Sequence, residues 1–219
     1  MAVRTPSTGA RTPLTRERVL REAIRLADAD GVDALSMRRL GQALGVEAMS
    51  LYHHVANKAD LMDGILDVVT EEIELPEPGS AWKPALRATA ISAHHVYLRH
   101  PWAANLTLSA GTGAGRYRYM EAILRSLREG GFSAEMTHHA YHALESHIVG
   151  FTLWLVGISA SLAAAGDGAL EEVVKSFEVD FPYLFEHAGE HGRESEPGDR
   201  TEFEFGLDLI LDGLEGMRG

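Results

Sequence analysis

The chain of 219 residues contains no cysteine. Disulfide frameworks and thiolate metal sites are therefore excluded, and the composition fits a protein of the reducing cytoplasm. The first 15 residues, Met1 to Thr15, hold arginines, prolines and small residues but no apolar run. A secretory signal needs such a run, so we interpret residues 1–14 as a flexible basic arm.

Residues 148–166 form one long run without a charged side chain, and its 19 positions are enough to span a bilayer. Its flanks are acidic, with Glu145 before it and Glu171 after it, and no Lys/Arg cluster is present to orient a span. We therefore predict a helix buried in a protein bundle and no membrane partner. A membrane span is the alternative interpretation.

Sequence motifs of catalysis are also lacking. We find no nucleophile elbow and no HExxH motif. Residues 109–115, "SAGTGAG", carry glycines at alternate positions, but no strand precedes them and a P-loop lysine is missing. We interpret this stretch as a loop before a helix over residues 117–129. The sequence predicts that the protein is not an enzyme and holds no cofactor.

Positive charge is scarce in a chain of net charge −12, and it is unevenly distributed. Residues 1–58 hold nine Lys/Arg and six Asp/Glu, a net charge of +3, whereas the remainder carries −15. An acidic body joined to a mildly basic module is typical of a nucleic-acid-binding protein with a separate domain that does not bind.

The basic module contains signals for three short helices. Thr15 is a suitable N-cap for a helix over residues 16–29, which Gly31 ends with a left-handed residue. Ser36 caps a second helix that runs to residue 44, and a third is predicted from residue 46 to about residue 55. The apolar spacing turns Leu40, Leu44, Val46, Leu51 and Val55 inward.

Two glycines indicate how the second and third helices meet. Gly45 suits the positive φ of a tight turn, and Gly41 allows two short helices to cross closely. The outward positions then carry arginine, tyrosine and histidine but no acid, which suits a DNA groove. Any αα-hairpin with a polar face is the plainer alternative. The outward residues are Arg38, Arg39, Ala48, Met49, Ser50, Tyr52, His53 and His54.

The segment ending in "LYHHVANKADL" resembles the DNA-binding domain of TetR-family transcriptional repressors. The stretches "WKPALR", "REGGFS", "VGFTLW" and "FEFGLDLILDGLE" extend the resemblance to the tetracycline-repressor branch over nearly the whole chain. The resemblance implies an all-α fold with an N-terminal three-helix helix-turn-helix domain and a C-terminal helical domain for ligand binding and dimerisation. The implied division is an arm over 1–14, a DNA-binding domain over 15–58, a connecting helix and linker over 59–81, and the C-terminal domain over 82–219.

The same resemblance implies which residues contact double-stranded operator DNA. Ala48 departs from the tetracycline repressor, which has an amide side chain there, and Ala and Met can contact a thymine methyl but cannot make bidentate hydrogen bonds to a base. The operator is therefore expected to differ from the tetracycline operator. The implied DNA-binding residues are Arg38, Ala48, Met49, Ser50, Tyr52, His53, His54 and Lys58.

Beyond the basic module, periodicity predicts helices over residues 59–73 and 82–99, and residues 188–199 are predicted to form a mobile loop. The C-terminal helix carries Gly206 and Gly213 on its apolar stripe. Each glycine costs roughly 1 kcal/mol in a helix interior, and close helix approach would compensate. With the helix over 148–158, this predicts a homodimer formed through a four-helix bundle.

The resemblance also places a pocket for a small-molecule effector of unknown identity in the C-terminal domain. The metal-binding histidine and glutamate of the tetracycline branch have no counterpart here, so no metal is expected. His138, His142 and Glu145 share one helix face, which we interpret as a polar lining, with a metal site as the alternative. The expected lining is Thr89, Ala93, Tyr97, Trp102, Met120, Ile123, His142, Glu145 and Val149.

These observations predict a transcriptional regulator, a repressor that a small molecule releases from a palindromic operator. An enzyme or carrier that uses the C-terminal pocket, with N-terminal helices of structural role only, is the alternative.

Overall fold

A computed structural model describes residues 13–109, 113–166, 168–191 and 200–218. In these ranges the chain is helical without strands, which confirms the all-α prediction. The predicted arm up to residue 12 and parts of the predicted loops, residues 110–112 and 192–199, lie outside the described residues. The helices are α1 (Arg16–Asp30), α2 (Met37–Leu44), α3 (Ala48–Leu51), α4 (Lys58–Thr70), α5 (Trp82–Arg99), α6 (Pro101–Ser109), α7 (Ala114–Glu129), α8 (Ala134–Ala165), α9 (Ala169–Ser176), α10 (Pro182–His191) and α11 (Glu202–Gly216).

Helix starts follow the capping residues of the sequence. The side chains of Thr15, Ser36 and Asn57 each accept a backbone hydrogen bond from the first turn of α1, α2 and α4, respectively. Thr201 forms a reciprocal capping box with Glu204 at the start of α11. Local side-chain chemistry therefore sets these four boundaries.

Several boundaries differ from the predictions. Helix α3 spans only Ala48–Leu51, shorter than the predicted 46–55, because Val46 still belongs to the turn that Gly45 makes. Gly31 has the positive φ expected, +82°, but its ψ of 153° is extended and not left-handed helical. Helix α7 begins at Ala114, three residues before the predicted start.

Three helices are absent from the sequence prediction. Pro101 is predicted to end a helix, but it also starts α6, because a proline fits the first helical position, where no intrahelical N–H bond is needed. Helices α9 and α10 lie between α8 and α11. The prediction of a mobile loop over 188–199 is wrong for residues 188–191, which end α10.

The core runs continuously through both predicted domains. Helix α4 packs against α1 on one side and α7 on the other, and α6 contacts α1, α4, α5 and α8. In the C-terminal part, α5, α7 and α8 pack together and α11 packs on α5 and α8. Helices α4 and α6 therefore pack against both the N-terminal helix α1 and the C-terminal helices.

Helix α8 is buried along only part of its length within this chain, so the predicted burial of residues 148–166 in a bundle stays a prediction. Ile148, Val149 and Thr152 are buried, but Trp154 and Ile158 are exposed. Helix α8 is long and apolar enough to cross a membrane by length and composition alone, and 17 % of its most apolar window is buried in the chain. The C-terminal half of α8 is therefore an apolar surface that the described residues of this chain leave largely uncovered.

Candidate nucleic-acid interface and internal ligand site

The turn between α2 and α3 brings the two helices into backbone contact. Gly45 adopts the left-handed conformation, with φ +68° and ψ 34°, and the Val46 N–H donates to the Gly41 carbonyl at 2.9 Å. A Cβ added at Gly41 would lie 2.9 Å from the Val46 carbonyl oxygen. The sequence prediction of a close crossing at Gly41 is therefore confirmed.

The outer face of α3 projects apolar and aromatic side chains into solvent. Leu51 is fully buried and holds the helix against the core, whereas Met49 is 73 % and Tyr52 44 % exposed. Single exposed apolar residues are common, but an apolar and an aromatic side chain on one short, rigidly held helix form a contact surface. All eight residues predicted to contact DNA are exposed or half-buried.

Two residues that the sequence analysis missed hold this surface in place. The Arg16 guanidinium donates to the His54 carbonyl at 2.8 Å and forms an ion pair with Asp60 at 2.8 Å. Asp60 also accepts from the Ala56 N–H at 2.7 Å. The hydrogen bond from Arg16 and the one from Ala56 lower the pKa of Asp60. These contacts tie α1 and α4 to the turn that follows α3.

Arg39, which the sequence analysis places outward, is engaged on the protein itself. It is half-buried and forms an ion pair with Asp30 at the end of α1. Arg38, one residue earlier, is exposed. The two adjacent arginines therefore differ in availability for a partner, which supports the selection of Arg38 from the pair.

Most of the predicted ligand-site residues lie in the interior between α5, α7 and α8. Trp102 and His142 are the exceptions. Trp102 is buried but donates its indole N–H to Asp28 in α1 at 2.7 Å, and His142 is exposed on α8. The part of all nine residues in ligand binding stays a prediction. The remaining seven are buried or half-buried: Thr89, Ala93, Tyr97, Met120, Ile123, Glu145 and Val149.

A separate cavity of about 680 Å³ lies between α5, α8 and the start of α11. Its lining includes His94, Phe151, Trp154 and Phe203, and none of the nine predicted ligand-site residues. His94 stacks on Phe203 with ring centroids 4.0 Å apart, and its Nδ1 lies 2.7 Å from the Thr152 hydroxyl. Burial, aided by two neighbouring histidines, lowers the pKa of His94 to about 4. The sequence offered no signal for this cavity, because its walls come from helices far apart in the chain.

The histidines of α8 are the alternative metal site of the sequence analysis. The rings of His138 and His142 lie 4.5 Å apart, edge to face. Within the described part of the chain, no group of three or more His, Asp or Glu side chains is arranged to hold a metal ion.

Two family models together match most of the chain. Residues 19–65 match the family "Bacterial regulatory proteins, tetR family", and residues 75–218 match "Tetracyclin repressor-like, C-terminal domain". The second match alone covers more than half of the chain and contains the residues predicted to line the ligand site. The chain belongs to the TetR family.

Relatives of the TetR family resemble the chain along its length. The transcriptional repressor DrrR1 of Streptomyces coeruleorubidus is 32 % identical over 97 % of this chain and 81 % of its own. The class C tetracycline repressor protein of Escherichia coli is 28 % identical over 94 % of this chain and 92 % of its own. Among solved structures, the crystal structure of Streptomyces coelicolor ActR in complex with actinorhodin superposes on this chain with a TM-score of 0.75. The two sequences are 30 % identical, and the match covers 95 % of this chain and all of the ActR chain.

Membership of the TetR family assigns the function of the two sites in outline. The chain is a ligand-responsive, DNA-binding transcriptional repressor. Its relatives are transcriptional regulators, not enzymes. The α2–α3 unit lies within the first match, and the residues predicted to line the ligand site lie within the second.

In this TetR-family chain, a carboxylate of α1 is hydrogen-bonded to the C-terminal part. Asp28 at the end of α1 accepts hydrogen bonds from Trp102 Nε1 at 2.7 Å and from His100 Nδ1 at 2.8 Å. His100 and Trp102 lie at the α5–α6 junction, and Glu72 lies on the other side of His100 at 3.6 Å. These contacts connect α1 to the α5–α6 junction.

Proposed function

We propose that a homodimer of this chain binds a palindromic operator through α2–α3 and leaves it when a small-molecule effector binds the C-terminal domain. The observation that carries this proposal is the α3 surface, rigidly held at Gly41 and open to solvent at Met49 and Tyr52. A short helix with an exposed outer face fits the major groove. Dimerisation would set two such helices about 34–36 Å apart, which a palindromic site matches.

The residues of this surface divide into two groups by chemistry. Ala48, Met49 and Ser50 lie on α3 itself and would meet base edges, where alanine and methionine favour a thymine methyl. The others carry donors suited to the backbone, because cationic and hydroxyl groups bind phosphate oxygens. In this proposal the backbone contacts come from Arg38, Tyr52, His53, His54 and Lys58, with Arg38 also in reach of a base.

The dimer interface is proposed to be a four-helix bundle of α8 and α11 from each copy. Helix α11 exposes 57 % of Phe205 and 59 % of Leu209, and α8 exposes Trp154. A Cβ added at Gly157 of α8 or at Gly213 of α11 would meet no atom within 4 Å, so both positions have room for close approach by a second copy. Glycine and serine dilute this face and acidic residues flank it, which favours a protein partner over lipid.

The effector is proposed to act through conformational coupling. The similar structure of ActR was solved in complex with actinorhodin. By analogy, a small organic molecule would bind between α5, α7 and α8 here and favour a conformation whose α3 helices no longer match the half-sites. Because coupling is reciprocal, operator DNA would weaken effector binding by the same factor.

We also propose the finer division of the chain and its setting. The DNA-binding domain would span 15–58, the connecting helix and linker 59–81, and the C-terminal domain 82–219, with residues 1–14 as a basic arm. The protein would act in the cytoplasm, without a catalytic activity or cofactor of its own. An enzyme or carrier with the same pocket would show no salt-sensitive, sequence-selective retention of DNA.

A salt titration of DNA binding tests the proposed roles. The operator is first selected from a random DNA pool, and the dissociation constant is then measured for operator and scrambled duplexes. Lys58→Ala should weaken both alike and reduce the slope of log K against log salt by about 1. Met49→Ala should instead change which bases are preferred and leave the slope unchanged.

Lys175→Ala provides the control, because it removes one positive charge from α9, far from the proposed surface in the chain. It should alter neither the slope nor the base preference. A change of base preference in Lys58→Ala, together with only a slope change in Met49→Ala, would contradict the assignment of α3 as the helix that meets the bases.

A further inference from the structure

Three tyrosines surround one glutamate in the interior of the C-terminal domain. We call Tyr97 of α5, Tyr119 of α7, and Tyr141 and Glu145 of α8 the tyrosine–glutamate cluster. The Tyr119 hydroxyl donates to Glu145 Oε1 at 2.6 Å. All three tyrosines are buried, and burial together with the Glu145 charge raises the pKa of each, to about 12 for Tyr141. The hydroxyls therefore stay protonated and act as donors.

The hydroxyl of Tyr97 is buried without a hydrogen-bond partner among the described residues, although the side chain is only 1 % exposed. Thr107 lies nearby, but its hydroxyl donates to the Ala103 and Ala104 carbonyls and does not reach hydrogen-bonding geometry with Tyr97. A buried polar group left unpaired costs about 1–3 kcal/mol. Such a cost is removed when a bound molecule supplies the partner.

Glu145 offers the complementary group. Its Oε1 accepts from Tyr119, while its second carboxylate oxygen accepts no hydrogen bond from the described residues. Glu145 is half-buried, with exposed His142 one turn before it on α8, and half-buried Arg116 of α7 is near enough for its positive charge to act on the carboxylate. A small molecule can thus approach the carboxylate from the edge between α7 and α8.

The charges around the cluster select against a cation. Burial raises the pKa of Glu145, whereas the positive charge of Arg116 acts in the opposite direction and also lowers the pKa values of Tyr97 and Tyr141. Arg116 therefore adds positive charge near the carboxylate, and an ammonium group brought to the same place would be repelled by it. A neutral hydroxyl is not repelled in this way.

We propose that the tyrosine–glutamate cluster is the specificity-determining end of the effector site and binds a phenolic hydroxyl of an aromatic effector. The phenolic hydroxyl accepts a hydrogen bond from Tyr97 and donates one to the free oxygen of Glu145. A single group of the effector therefore pairs with both side chains. A phenol suits this place better than an aliphatic alcohol, because it is the stronger donor and its planar ring can pack among the three tyrosine rings. This inference rests on the proposed function, which supplies the effector.

Equilibrium dialysis of the full-length protein against matched naphthalene probes tests the proposal. The probes are 1-naphthol, 1-methoxynaphthalene, which cannot donate, and 1-naphthylmethylamine, which is cationic. The wild-type protein should bind 1-naphthol about tenfold more tightly than either of the other two, as a hydrogen bond to a charged group implies. Glu145→Gln should reduce the preference for 1-naphthol over 1-methoxynaphthalene to less than about threefold. Tyr97→Phe should instead weaken the binding of 1-naphthol itself, because the methoxy oxygen can accept from Tyr97 as well.

Two variants provide matched controls. Glu135→Gln removes an exposed carboxylate of the same helix α8, and Tyr117→Phe removes the hydroxyl of a half-exposed tyrosine on α7. Both should keep the tenfold preference. Circular dichroism checks that each variant is folded, and Tyr97→Phe changes a single atom in the event that Glu145→Gln does not fold.

Equal binding of 1-naphthol and 1-methoxynaphthalene by the wild-type protein would overturn the inference, as would no binding of 1-naphthol. An unchanged preference in Glu145→Gln, together with an unchanged affinity for 1-naphthol in Tyr97→Phe, would overturn it as well. Failure of the proposed function is recognised separately, because it would appear as no sequence-selective DNA binding in the absence of any probe.

Discussion

Substitution of Gly41 by alanine perturbs the α2–α3 crossing at a buried residue that is not itself proposed to contact DNA. The new Cβ would lie 2.9 Å from the Val46 oxygen, and 3.2 and 3.3 Å from the Ala48 nitrogen and Cα. All three are backbone atoms, which cannot rotate away as a flexible side chain does. To restore ordinary contact, α3 must move by about 0.5 Å relative to α2.

The magnitude follows from two opposing effects. Overpacking in a well-packed interior costs typically about 1–3 kcal/mol, while alanine gains up to about 1 kcal/mol over glycine in a helix interior. We expect Gly41→Ala to lower the free energy of unfolding by about 1–2 kcal/mol. Displacement of α3 also disturbs its base contacts, so operator affinity should fall about tenfold or more.

Urea denaturation followed by circular dichroism gives the stability, and a titration of labelled operator at fixed salt gives the affinity. Gln42→Ala is the control, since Gln42 is exposed on the same helix, and its stability should stay within about 0.5 kcal/mol of the wild type. If Gly41→Ala matched the wild type in both stability and affinity, the close crossing would not be what positions α3.

Three further predictions follow from other contacts. Asp28→Ala should lower the free energy of unfolding by about 1–2 kcal/mol in urea denaturation. The double variant with Trp102→Phe should lose less stability than the two single variants added together, because both substitutions remove the same hydrogen bond. Strict additivity of the two losses would refute this coupling. The pKa of His94 lies near 4 when folded, below its ordinary value of 6.5, so the unfolded chain binds more protons between these values and stability is lost as the pH falls through them. Between pH 7 and pH 5 this loss should be about 2 kcal/mol by urea denaturation, and a His94→Phe variant with the same pH dependence would contradict it. Gly213→Leu should weaken the dimer in sedimentation velocity, whereas Gly206→Leu is no clean test because a Cβ at Gly206 already lies 2.6 Å from His147 of the same chain; a dimer unaffected by Gly213→Leu would contradict the placement of the interface.

The DNA-binding unit was the most predictable part of the molecule. Its caps at Thr15 and Ser36, its turn at Gly45 and its crossing at Gly41 depend on residues at most a few positions apart. Local chemistry of this kind is written in short stretches of sequence. The length of α3 was overestimated, because the turn made by Gly45 extends to Val46 and delays the start of that helix.

The C-terminal site was predictable only in part. Apolar periodicity located α5 and α11. The resemblance to TetR-family repressors supplied a set of residues expected to line the ligand site, and the structure places the members of this set in different surroundings. Tyr97 and Glu145 lie with the interior group, while Trp102 contacts Asp28 of α1. Spacing along one helix cannot reveal which neighbouring helix a side chain faces, and that choice separates a ligand contact from an interdomain contact.

The sequence by itself determined the helical class, the helix-turn-helix and the family, because capping, glycine placement and a contiguous motif are local properties. Only the tertiary structure decided which polar groups meet across the core. Two of these contacts join residues 26 or more positions apart: the hydrogen bond from Tyr119 to Glu145 and the ion pair between Arg16 and Asp60. A third feature, the Tyr97 hydroxyl without a hydrogen-bond partner among the described residues, depends on burial by several helices. Hydrogen bonding and desolvation act through space, so their outcome is fixed when the helices pack.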